Sequence, residues 1–136
     1  MNIEKFRKDH EEILAQVNDL RELVHSGVAE NAAAIAKLVV TMSSAIKLHL
    51  AAEDRVLYPA YSRSADSSIS KIGQLFQKEM GEIASVYLEF VRRWGIPSKV
   101  SADPMRFREE ANSIFKALHQ RIQRENQELY PLSDRV

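Results

Sequence analysis

The stretch KLHLAAEDRVLYP, Lys47 to Pro59, sets a histidine and a glutamate four residues apart among apolar residues spaced for a helix. Four residues make slightly more than one helical turn, so His49 and Glu53 aim at one point from one face, shared with Met42 and Val56. Buried polar groups are costly unless paired, which makes two of them on an apolar face informative. The block also returns later in the chain. A shift of 72 residues lays Glu53, Leu57, Tyr58 and Pro59 on Glu125, Leu129, Tyr130 and Pro131. Arg121 and Glu125 then repeat the four-residue spacing of His49 and Glu53. A shift of 70 lays Phe6, Glu12 and Ile13 on Phe76, Glu82 and Ile83. The first and third helices are thus counterparts, and so are the second and fourth.

Outward from this block, helical periodicity runs through nearly the whole chain. Ile3, Phe6, Ile13, Val17, Leu20 and Val24 form the stripe of a first helix, edged by Leu14 and Leu23 and ended by Gly27. A second helix is expected from Glu30 or Asn31 to about Tyr58, with Pro59 helping to stop it. Ser62 to Ser68 reads as a loop, with Ser67 or Ser68 as the next N-cap. A third helix carries Ile69, Ile72, Phe76, Met80, Ile83, Tyr87, Val91 and Trp94 inward and ends at Gly95. Ile96 to Ala102 reads as a connection, and Asp103-Pro104 starts a fourth helix. That helix buries Phe107, Ile114, Phe115, Leu118, Ile122 and Leu129 until Pro131 closes it. Four amphipathic helices with short connections imply an all-α, antiparallel up-down-up-down four-helix bundle forming one domain over residues 1–136.

Composition narrows the function. The 136 residues hold 19 Lys plus Arg against 19 Asp plus Glu, so no net field draws nucleic acid or an anionic membrane. There is no cysteine, which removes disulfides, thiolate metal sites and thiol nucleophiles. The charged N-terminal stretch MNIEKFRKDHEEIL is unlike a secretory signal, and the apolar runs read as shorter than a bilayer span. The expectation is a cytoplasmic protein with neither nucleic-acid nor membrane partners. Nothing in the sequence names a protein partner or an oligomer.

The inward polar residues carry the rest. His10 lies between Phe6 and Ile13. It precedes the turn near Val28 by 18 residues, and His49 follows that turn by 21. Met80 precedes Gly95 by 15, and Arg121 and Glu125 follow Asp103 by 18 and 22. All occupy nearby layers of one bundle. A lone buried histidine is ordinarily a satisfied core residue, and an H-x3-E pair is ordinarily a surface ion pair. Imidazole and carboxylate converging from facing helices are instead the ligand chemistry of bundle-core iron and manganese sites. His119 is turned about 200° from Arg121 and reads as an edge residue, while His25 lies about four turns from His10. Glu79 and Glu82 point to solvent. Tyr58 and Tyr130 read as caps of the core end with hydroxyls near solvent, and Trp94 as a plug.

At FRKDHEEI around His10 and KLHLAAEDRVLYP around His49 and Glu53, the chain resembles the hemerythrin-like, HHE cation-binding family; QLFQKEMGEI and RIQRENQELYP are weaker echoes. The resemblance implies one histidine from each of the first and third helices and a His-x3-Glu pair from each of the second and fourth, together holding two iron ions. His10, His49, Glu53 and Glu125 match that pattern. Met80 and Arg121 stand where two further histidines are expected. Arginine keeps its proton and has no lone pair for a cation, and a thioether suits hard iron poorly. The expected ligand set is therefore His10, His49, Glu53 and Glu125, holding at most one divalent metal per chain. Iron is the first candidate, and the role is sensing, binding or storage rather than catalysis. The alternative is a metal-free structural or interaction module in which Arg121 replaces the metal by pairing with Glu53 and Glu125. A third reading, a ferritin-like redox enzyme, has no second base, nucleophile or substrate pocket in the sequence to support it.

Overall fold

A computed structural model describes residues 1–136, and the chain is all-helical with no strand. The helix α1 (Glu4–Ser26) ends where expected, because Gly27 takes φ +123°, a conformation that costs other residues strain. Asn31 finishes that end from outside, its amide donating to the Leu23 and Gly27 carbonyls. The second helical run begins as α2 (Ala32–Ala52). It does not stop at Pro59. A π turn over Glu53–Leu57 leads into α3 (Tyr58–Ser62), and the helix continues unbroken. Proline has no N–H to give and crowds the carbonyl four residues earlier; widening the preceding turn relieves that crowding.

The next helix, α4 (Ser67–Trp94), is capped by Asp66 rather than by Ser67 or Ser68, since the Asp66 carboxylate accepts from the Ser68 N–H at 2.9 Å. The connection after Gly95 is itself helical, a short α5 (Pro97–Ala102) whose Val100 is fully buried. The last helix, α6 (Pro104–Arg124), starts as expected under Asp103, which accepts from the Arg106 N–H. Pro131 does not close it. A second π turn, Glu125–Leu129, passes into a 3₁₀ turn over Tyr130–Arg135.

The helices pack α1 on α2, α2 on α4, α4 on α6 and α6 on α1, with α5 against α2. Their apolar faces form two clusters. The larger includes Ile13, Val17, Met42, Ile46, Met80, Phe115 and Ile122. The smaller includes Phe6, Leu57, Tyr58, Phe76, Leu129 and Tyr130. On each long helix the boundary between the clusters falls at a residue singled out by the sequence: His10, His49 with Glu53, Met80, and Arg121 with Glu125. Val56, expected inward, is 51% exposed, because the π turn rotates it off the face of Glu53. Against expectation, the helical run Ala32–Ser62 is long and apolar enough to cross a membrane by length and composition. In this fold its Ile35, Val39, Met42 and Ile46 are buried in the larger cluster.

Candidate metal centre

His10, His49, Glu53, Arg121 and Glu125 are all at most 4% exposed, so each needs internal partners. The imidazoles are held by their far nitrogens. His10 Nδ1 donates to Asn126 Oδ1 at 2.9 Å, and His49 Nδ1 donates to the Asp9 carboxylate at 3.0 Å. These bonds turn both Nε2 atoms inward, where they face each other at 3.1 Å. Glu125 Oε1 lies 2.9 Å from His10 Nε2 and 4.0 Å from His49 Nε2. Glu53 Oε1 lies 3.2 Å from His49 Nε2 but has no aligned hydrogen-bond partner despite its complete burial.

This arrangement fits a cation. Donors each about 2.1 Å from a metal sit about 3 Å from their neighbours when their bonds are at right angles. Three of the donor separations above are close to that value. His10, His49 and Glu125 form one group whose donor atoms all lie within 4.8 Å of each other, with Glu53 beside His49. Holding the remote imidazole nitrogen with a carboxylate or an amide oxygen is also how metal-binding histidines are oriented. Sequence reasoning missed Asp9 and Asn126 in this role. The available signal was adjacency, since each directly neighbours a candidate ligand.

Without a cation, protons must hold the cluster together. Burial alone would lower the His49 pKa. The carboxylates of Glu125, Glu53 and Asp9 outweigh burial and raise the pKa from 6.5 to about 10. Glu53 is pushed up by its burial and by the neighbouring Glu125 charge, against the pull of His49. Glu125 moves the other way. Burial would raise it, but the hydrogen bond from His10, the nearby His49 imidazole and the charge of Arg121 hold it well below the usual carboxylate range. The two carboxylates therefore differ: Glu125 stays ionised, and Glu53 resists ionisation.

The second half of the site is filled by protein. Arg121 Nε donates to Glu125 Oε2 at 3.3 Å, and its Nη2 donates to the Phe76 carbonyl at 2.6 Å and to Tyr58 Oη at 3.3 Å. Its guanidinium carbon lies 4.3 Å from the centre of the Phe76 ring, and its Nη1 has no partner. The expected pairing of Arg121 with both glutamates is therefore half right. Glu53 makes no ion pair with Arg121; its Oε2 accepts instead from the Tyr130 hydroxyl at 3.2 Å. Met80 is buried in the larger apolar cluster. His119 is half-buried and outside the cluster, Glu79 pairs with Arg124, and Glu82 is exposed.

Tyr58 and Tyr130 overturn their reading as solvent-facing caps: both are about 1% exposed. Tyr58 donates to Glu125 Oε2 at 3.1 Å, and the Tyr130 hydroxyl lies 3.1 Å from His10 Nε2 as well as beside Glu53. Each tyrosine thus serves the glutamate of the opposite half of the repeat. In an ordinary helix a residue five positions on is rotated about 140° away. The π turns bring it back, and in each the tyrosine N–H bonds to the carbonyl of the glutamate five residues earlier. Burial, followed by the nearby charge of Glu53, raises both phenol pKa values, so both hydroxyls remain donors.

A comparison with the curated proteins and another with solved structures each found no match. The family model described as the hemerythrin HHE cation binding domain matches residues 1–133, almost the entire chain. Such cation-binding domains bind divalent metal, and candidate ligands stand together here in His10, His49 and Glu125. The chain belongs to the hemerythrin HHE cation-binding domain family.

Proposed function

We propose that this chain is a single hemerythrin-like domain, an antiparallel up-down-up-down four-helix bundle that binds one divalent metal. The ring of helix contacts supports the bundle. The ligands are His10, His49, Glu53 and Glu125, and iron is the first candidate. The observation that carries this reading is the convergence of His10 Nε2, His49 Nε2 and Glu125 Oε1, with both Nδ1 atoms committed elsewhere. A cation there would favour the ionised form of Glu53 against its burial, and it would take the place of the proton on His49 Nε2. Arg121, salt-bridged to Glu125, limits the site to one metal, because a fixed cation now occupies the side of Glu125 that a second ion would need.

The role is sensing, binding or storage rather than catalysis, in the cytoplasm, without nucleic-acid or membrane partners. The absence of cysteine and the balanced charge support those assignments. A metal-free interaction module is the second reading, favoured by the Arg121–Glu125 pair, which already compensates the most strongly ionised group. Metal analysis after reconstitution with Fe(II) or Mn(II) separates the two. One ion per chain, together with a melting temperature that falls on chelation, supports the metal protein. No bound ion and no response to chelator support the module, and two ions per chain refute both.

A further inference from the structure

A second, chemically different crevice lies between α1 and α6, lined by Arg21 and His25 from one helix and Arg108 from the other, with a volume of about 240 Å³. Arg21 and His25 follow His10 on the same helix by 11 and 15 residues, so they lie roughly 16 and 22 Å from it along the axis. The crevice is therefore distinct from the metal cluster. Its floor is apolar, made by Leu20, Ala111 and Phe115, each at most 3% exposed. No carboxylate lines it.

The crevice thus gathers three basic side chains in a chain of zero overall charge. Arg92, Arg93, Arg121, Arg124 and Arg135 are paired with carboxylates, while Arg7, Arg55, Arg63 and Arg106 elsewhere on the chain are not. Arg21 and Arg108 have no such partner. Arg108 also follows a first turn of α6 that holds no acidic residue, close to the helix end where the backbone dipole already disfavours a cation. Two guanidinium groups over an apolar floor match an anionic head on a compact hydrocarbon body. The planar fork of arginine suits a carboxylate in particular, because both oxygens can be engaged.

We infer that the α1–α6 crevice is a binding site for a small organic carboxylate, with Arg21 and Arg108 holding the carboxylate and Leu20, Ala111 and Phe115 covering its apolar body. The probe is benzoate, titrated into metal-loaded and metal-free protein while backbone amide NMR signals are followed. Saturable shifts are expected at residues 20–25 and 108–115, with a dissociation constant on the order of 1 mM. Arg21→Gln and Arg108→Gln, both exposed changes, should each weaken binding about tenfold without altering the melting temperature. Metal-free and metal-loaded protein should bind benzoate equally, which separates this site from a carboxylate ligating the metal. Benzyl alcohol, which lacks the charge, should not bind. Benzoate shifts that do not saturate, or that survive in the Arg21→Gln/Arg108→Gln double variant, would overturn the inference. Inorganic phosphate binding as tightly as benzoate would overturn its apolar half.

Discussion

Replacing Arg121 with alanine in the metal-free protein removes three buried hydrogen bonds, to Glu125, Tyr58 and the Phe76 carbonyl, and the stacking on Phe76. Glu125 then keeps only the tyrosine and the two histidines as partners in an interior from which water is excluded. Removing one partner of a buried ion pair typically costs about 3–5 kcal/mol. For a chain of 136 residues the unfolding entropy is about 0.3 kcal/mol per kelvin, so the melting temperature should fall by about 10–17 °C. Arg121→Met, which keeps most of the volume, should recover only the packing part of that loss. Differential scanning calorimetry with and without chelator measures both variants. In metal-loaded protein the loss should shrink to less than half, because the bound cation also compensates Glu125. A metal-free loss below about 1 kcal/mol would show that Arg121 is not the group holding Glu125 ionised.

Four further outcomes follow from the same geometry. Asp9→Asn exchanges the carboxylate behind His49 for a neutral amide and should weaken metal binding about 10–100-fold in competition with a chromogenic chelator; unchanged affinity would exclude Asp9 from orienting the imidazole. The raised His49 pKa means that a metal must displace a proton below pH about 10, so apparent affinity should rise close to tenfold per pH unit between about pH 7 and 9; a flat profile would refute the protonated cluster. The same shift makes the His49 contribution to metal-free stability fully present below pH 6.5 and lost as pH rises through about 10. Met80→His with Arg121→His restores the two missing imidazoles and should raise metal content from one ion to two; a stoichiometry that stays at one would show that more than these two positions closed the second half.

Much of this site could be read from residue spacing alone. His10, His49 and Glu125 were legible because apolar stripes flank them and because the turns place them at one depth. Met80 and Arg121 were legible as departures from an internal repeat. The helix interruptions were not, because Pro59 and Pro131 signal stops in an ordinary helix, whereas here the preceding π turns carry the chain through. Those turns also explain the two buried tyrosines. Counting at 100° per residue aims Tyr58 and Tyr130 away from the helix faces that carry Glu53 and Glu125, and only a five-residue turn returns them to the site. Asp9 and Asn126 were hidden for a different reason. A polar residue beside a ligand looks like the solvated flank of its own helix, and its target lies on another helix. The split of Glu53 and Glu125 into opposite pKa directions depends on three-dimensional distances that spacing does not give.

The most direct test of the central claim is an anomalous-scattering map from crystals grown with Fe(II) or Mn(II). The account predicts one peak per chain, within bonding distance of His10 Nε2, His49 Nε2 and a Glu125 oxygen, with density for the Arg121 guanidinium still against Glu125. Two peaks bridged by the glutamates, or no peak between the two imidazoles, would contradict it.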